Sequence, residues 1–233
     1  MKDLSLNLAK GQALGLIGPN GAGKTTVFNL VSGNFEPDQG TITFDGLKIS
    51  GKKPHSITRL GVSRTFQTVR PFAKMSVLEN VAVGALFGRD HSMSIKKAQS
   101  EAKQILGFVS LHEKARLLAS SLTLAEQRRL ELARAIATKP KILMLDEVMA
   151  GLNQVEIAAT LNLLEKLRNE KGITLLVIEH IMKAIFELCD NIVVMDYGVK
   201  IAEGPPSDVM KDDAVIAAYM GPRKTTDPHA EAS

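Results

Sequence analysis

The run Gly18-Pro19-Asn20-Gly21-Ala22-Gly23-Lys24-Thr25-Thr26 constrains this chain more than any other stretch. It matches the pattern G-x-x-x-x-G-K-[ST]. It also lies between a short apolar run, Gln12 to Gly18, that reads as a buried strand and a segment, Thr25 to Ser32, that reads as a helix. In that context the glycines let successive backbone N–H groups point into one concavity, and the helix N-terminus adds positive potential there. The residues from Gly18 to Thr26 are thus expected to hold the phosphates of a nucleoside triphosphate, with the Lys24 ammonium on the β- and γ-phosphates and the Thr25 hydroxyl on Mg²⁺.

A second segment completes that chemistry. Ile142 to Leu145 is an apolar strand that ends in Asp146 and Glu147. Asp146 is placed to hold the Mg²⁺ shell, and Glu147, projecting differently one residue on, to orient or deprotonate a water.

The rest of the chain supplies a frame for these two segments. Leu4-Ser5-Leu6-Asn7-Leu8 alternates as a half-buried strand does, and Thr41 to Ile49 reads as two short strands around the turn Asp45-Gly46. From Ser76 to Thr138 the pattern is helical: Ser76 and Glu79 have capping-box spacing, and helices are expected over 76–86, 95–109 and 124–138, the last ended by Pro140. Beyond it, strands at 142–145, 173–178 and 192–195 alternate with helices at 154–171 and 182–189, which argues for a parallel sheet with crossover helices. The division expected is an ATP-binding core with a β lobe over 1–75 and 139–221, a helical subdomain over 76–138, and a flexible polar tail over 222–233.

Composition narrows the class by exclusion. With 45% apolar and 23% charged residues the chain is neither disordered nor collagen-like. The single cysteine, Cys189, excludes an internal disulfide and suits a reducing compartment. No apolar run reaches the roughly 18–20 residues that a membrane span requires, and the start has no signal-peptide core. A cytosolic protein, or one held at a membrane by a partner, is expected. The net charge of +4 permits nucleic-acid binding, but with no Trp and two Tyr a base-stacking platform is thinly supplied, and no nucleic-acid partner is expected. His55, His91, His112 and His229 have no partners at metal-ligand spacing. Arg59, Arg64 and Arg70 read as members of a solvated loop.

With these motifs in this order, nearly the whole chain resembles the nucleotide-binding subunits of ABC transporters. The resemblance implies an α/β P-loop NTPase fold with a RecA-like parallel core, a small antiparallel β lobe and an inserted α-helical subdomain. It implies ATP and Mg²⁺ as cofactors, and it assigns further residues. Gln67, in Arg64-Thr65-Phe66-Gln67, would sense the γ-phosphate and Mg²⁺ and link to the membrane partner. His180 would be the γ-phosphate switch, and Ala150-Gly151-Leu152-Asn153 the loop that follows the carboxylates. Catalysis would fall to Glu147, His180 and Lys24, and Mg²⁺ ligation to Thr25, Gln67 and Asp146. Thr123, Ala125 and Glu126, in the signature slot Leu122 to Glu126, would face the ATP held by a second ATPase subunit.

Two departures from the family pattern stand out. In the signature L-S-G-G-Q, both glycines are replaced, by Leu124 and Ala125, and Glu126 stands where Gln is common. A Cβ there hinders close backbone approach, and a carboxylate repels phosphate unless it is turned away, for which the capping-box spacing of Thr123 and Glu126 provides a means. The family also carries one or two strands before the segment that opens this chain, with an aromatic that stacks on adenine; here no aromatic precedes Lys24. Either the start is truncated or adenine is held differently; weak base discrimination and a less stable fold, its antiparallel lobe lacking a strand, are expected.

Within the family, RTFQTVRPFAKMSVLENV, DEVMAGLN and AVIAAYMG resemble the larger-type ATPase of branched-chain amino acid importers. That implies integral-membrane permease subunits, a second ATPase subunit in a hetero- or homodimer, an indirect solute-binding protein, and a peripheral location on the cytoplasmic face of the cell membrane. Lipopolysaccharide export, urea import, and a regulatory subunit that hydrolyses poorly are the alternatives.

Overall fold

The structure, a computed structural model, describes residues 1–90 and 92–220. His91, His229 and the tail over 222–233 lie outside them. A six-stranded sheet, apolar and buried in its inner strands, builds the centre of the molecule. Its strands are β1 (Ala13–Ile17), β4 (Val62–Arg64), β5 (Ile142–Asp146), β6 (Thr174–Ile178), β7 (Asn191–Asp196) and β8 (Val199–Gly204), in the order β4-β5-β6-β1-β7-β8. All neighbours are parallel except β7 and β8. The residues of β1 and β6 are buried throughout, as a sheet covered on both faces requires.

Strand alternation divides the core into two layers. Ala13, Ile17, Leu143, Leu145, Leu175, Val177, Ile192 and Val194 face one cluster, which they share with α6 (Gln154–Lys171) and α7 (Met182–Leu188). Leu14, Leu16, Met144, Leu176, Val193 and Met195 face the other, with Val27 and Phe28 of α1 (Lys24–Val31). That second layer also takes in Phe44 and Ile57, from the hairpin β2 (Thr43–Phe44) and β3 (Leu47–Lys48) and from α2 (Pro54–Leu60).

A third cluster is helical. It joins α3 (Val77–Phe87), α4 (Ile95–Phe108) and α5 (Leu124–Ala137) through Val77, Val81, Ala98, Ala102, Leu106, Leu130 and Ala133. Small residues set the spacing: a Cβ at Gly84 would stand 2.4 Å from the Arg134 carbonyl oxygen. Capping boxes at Ser76/Glu79, Thr123/Glu126 and Asn153/Glu156 start α3, α5 and α6, each stabilising its helix by about 1 kcal/mol.

The strand expected at Leu4–Leu8 does not form. Leu4, Leu6 and Leu8 do pack on the second layer, as their alternation requires, but among the described residues no strand pairs with their backbone. The segment instead borders an open groove of 1860 Å³ with α1 and the β2–β3 hairpin. Conversely, α2, β4, β8, α8 (Pro206–Val209) and α9 (Asp213–Met220) carry too little periodicity to be read beforehand.

Candidate active site

The parallel order places every chemical element at the carboxyl ends of neighbouring strands, where open α/β sheets bind ligands. The phosphate loop leaves β1, Asp146 and Glu147 leave β5, and β6, between them, delivers Glu179 and His180. Gly18 has φ +146, and a Cβ there would lie 2.1 Å from the Met195 carbonyl oxygen, so only glycine fits. Gly23, at φ +103, caps α1 and turns the chain into the helix at Lys24. The buried Lys24 ammonium donates to the Gly18 and Pro19 carbonyls at 2.7 and 2.9 Å. Burial lowers its pKa, while the charges of Glu147 and Asp146 act in the opposite direction. Asn20, Gly21 and Thr25 are exposed along the loop, and Thr26 is half-buried.

Glu147 is the hub. Its Oε2 accepts from Gln67 Nε2 at 2.8 Å, and its Oε1 lies 2.9 Å from His180 Nε2. Residues 80 positions before Glu147 and 33 after it therefore meet at its carboxylate. Its backbone is at φ +50, an uncommon conformation for a residue with a side chain and one that concentrates at functional sites.

Helix α5 grips the loop that carries Gln67. Arg128 Nη1 donates to the Gln67 carbonyl at 2.8 Å, Glu131 Oε1 accepts from the Phe66 N–H at 2.7 Å, and Arg134 Nη1 donates to the Arg70 carbonyl at 3.0 Å. Arg134 also lies over the Phe72 ring, 4.7 Å from its centroid. Burial raises the Glu131 pKa. Spacing of three residues along α5 puts all three on one face, but nothing in the sequence alone says what that face meets.

Arg64 corrects the expectation of a solvated loop. Its Nη2 donates to Asp146 Oδ2 at 2.7 Å and its Nη1 to Asn29 Oδ1 at 2.6 Å, with the guanidinium between the rings of Phe28 and Phe66. Thr65, which is buried, accepts from the Asp146 N–H at 3.2 Å. Arg64, Arg128, Glu131 and Glu179 are the site residues that the sequence motifs did not single out.

The signature segment forms the start of α5. Glu126 accepts from the Thr123 N–H at 3.0 Å and pairs with Lys114, which lowers its pKa. The carboxylate is thus turned back and neutralised. Leu124 is exposed, and its Cδ2 is 3.2 Å from where a Cβ on Gly151 would be. Leu124 and Ala125 are then the Cβ-bearing residues that remain at this helix start. The double change Leu124→Gly and Ala125→Gly should raise ATP turnover of the assembled dimer several-fold; an unchanged kcat would show that these side chains do not hinder it.

The order of the strands decides the class. With the histidine strand between the phosphate-loop strand and the carboxylate strand, and with His180 and Gln67 both meeting Glu147, this is a P-loop nucleoside triphosphatase. The family described as ABC transporter matches residues 1–150, and the one described as branched-chain amino acid ATP-binding cassette transporter matches residues 199–221. The high-affinity branched-chain amino acid transport ATP-binding protein BraF of Pseudomonas aeruginosa is 41% identical over 94% of this chain and 90% of its own length. LivG of Escherichia coli, whose name gives it the same role, is 41% identical over 95% of this chain and 91% of its own length. A nucleotide-free ATP-binding cassette from an ABC transporter superposes with a TM-score of 0.83 at 31% identity, over 93% of this chain and 91% of that one. The chain belongs to the ABC transporter family, as an ATP-binding and ATP-hydrolysing subunit.

The donor set suits Mg²⁺. Thr25 is exposed at the start of α1, the Gln67 amide oxygen accepts no hydrogen bond among the described residues, and Asp146 has one carboxylate oxygen on Arg64 and the other outside that pair. These are hard oxygen ligands in small number, as Mg²⁺ with a phosphate ligand prefers. No cluster of three or more His, Cys, Asp or Glu occurs among the described residues, so an all-protein cage for another metal is not offered there.

Proposed function

We propose that this chain powers the import of branched-chain amino acids, docked on the cytoplasmic face of a permease and paired with a second ATPase subunit. The observation that carries the catalytic part is Glu147, held between Gln67 and His180 beside the Lys24 loop. The substrate class rests on the relatives' names and on the match over residues 199–221. No helix among the described residues is long and apolar enough to cross a membrane, which fits a peripheral subunit.

In this reading the amides of residues 18–25 and the Lys24 ammonium bind the triphosphate. Thr25, Gln67 and Asp146 would hold Mg²⁺, which would supply positive charge against the anionic triphosphate. Glu147 orients water and accepts its proton. His180 and Gln67 keep the Glu147 carboxylate in place, and Thr123 and Ala125 of the opposing signature close the site from the partner subunit. The test is reconstitution: the chain with its permease, second ATPase and binding protein in vesicles should drive ATP-dependent uptake of leucine, isoleucine or valine. ATP hydrolysis by the assembly that none of these solutes stimulates would reject the substrate class.

A further inference from the structure

Glu179 takes no part in the chemistry above, yet it is a carboxyl group with 2% of its surface exposed, one residue before His180. We infer that Glu179 is a positioning residue: its carboxylate ties the 149–153 loop to the strand end that carries His180, and so holds Glu147 in its working conformation. The inference rests on Glu147 and His180 acting on the triphosphate as proposed.

The β5–β6 ladder shows why a tether is required. Regular pairing ends at Asp146 and Ile178, and one further main-chain bond, from the Glu147 N–H to the Ile178 carbonyl at 2.9 Å, extends it. The next link is made by a side chain. The N–H of Met149, a residue that is 0% exposed, donates to Glu179 Oε1 at 2.9 Å. Without that oxygen a buried amide would have no partner in this arrangement, a cost that a turn avoids by moving.

The turn cannot move without Glu147. The Ala150 N–H donates to the Glu147 carbonyl at 3.2 Å, and the Leu152 N–H to the Met149 carbonyl at 3.2 Å, so residues 147–152 form one hydrogen-bonded unit. Glu147 is thus fixed by Ile178 on one side and by Ala150 on the other, and Met149 anchors the second of these. Its φ of +50 persists only while the surroundings enforce it. Downstream, Gly151 lies against Leu124 of the signature helix and Asn153 caps α6. One buried carboxylate therefore connects the water-orienting residue, the histidine strand and the signature helix. Burial pushes the Glu179 pKa up to about 7, while the Met149 and His180 amides favour its charged form.

The experiment compares Glu179→Ala, Glu179→Gln and Glu179→Asp in the full chain assembled with its partner ATPase and permease, beside Glu147→Gln. Glutamine keeps an acceptor at the same reach. Aspartate keeps the charge but is one methylene short, and it decides the matter if the alanine variant does not fold. Alanine and aspartate should lower kcat roughly 10- to 100-fold, the scale of a misplaced catalytic group, with the KM for ATP within about twofold of wild type. Glutamine should restore kcat to within about threefold. Hydrogen exchange at the amides of 149–152 should accelerate in the alanine variant and not in the glutamine one. The inference is overturned by a wild-type kcat in the alanine or aspartate variant, by loss of ATP affinity in parallel with kcat, or by a glutamine variant as impaired as alanine. A fully active Glu147→Gln would instead remove the proposal on which the inference stands, whereas an inactive Glu147→Gln beside a normal Glu179→Ala removes the tether alone.

Discussion

Glu147→Gln should reduce ATP turnover of the assembled transporter by roughly 10²–10⁴-fold, the range that a positioned general base contributes. The substitution is isosteric. A glutamine carbonyl can still accept from Gln67 Nε2, which now donates at 2.8 Å, and its amide can still meet His180 Nε2, now at 2.9 Å. Position is retained and basicity is lost, so the defect should fall on kcat. ATP binding depends on the Lys24 loop and should be unchanged or tighter, because nucleotide that cannot be cleaved keeps the subunits closed over it. The checks are kcat under saturating ATP and Mg²⁺, and retention of a labelled nucleotide through gel filtration. Turnover within a few-fold of wild type would assign the proton to another acceptor.

The parts of this site differ in how far the sequence announces them, and the differences have physical causes. The phosphate loop is local: its glycines, its lysine and the strand before it are contiguous, so residues 18–26 can be read directly. The capping boxes of α3 and α5 and the extent of α6 are local in the same sense, because a cap is a relation between residues three apart. Glu147 and His180 acquire meaning only from their register behind apolar strands.

Other features are products of packing alone. Strand β4 has three residues, too few for a period, and exists because β5 offers it an edge. Leu4–Leu8 has the period of a strand and, among the described residues, lacks the neighbour that would make it one. Its side chains obey the pattern while its backbone does not, since alternation specifies which face is buried and not whether a ladder forms. Glu131 and Glu179 would be expected on a surface by residue type. Each is buried because an unpaired main-chain N–H, of Phe66 and Met149 respectively, needs an acceptor where no strand or helix supplies one.

Arg64 is the extreme of that class, and its replacement should have the largest effect on stability. The side chain and that of Asp146 are 7% and 3% exposed, and their contact at 2.7 Å joins residues from separate strands. A buried pair of this kind adds little over an apolar replacement of both partners, but removing one partner leaves an uncompensated charge. Arg64→Met should therefore cost about 3–5 kcal/mol of unfolding free energy. That is a large part of the roughly 5–15 kcal/mol that a domain possesses. The loss includes the hydrogen bond to Asn29 and the stacking on Phe28 and Phe66. Arg64→Lys should recover only part of it, because an ammonium cannot serve Asp146 and Asn29 with one planar fork. The decisive comparison is the double variant Arg64→Met with Asp146→Asn, which removes both charges. If charge compensation is the cause, its denaturant midpoint should lie above that of Arg64→Met alone, a coupling that a double-mutant cycle reads directly. If the two changes add, the stabilising role of Arg64 lies in its stacking between the two rings rather than in its charge.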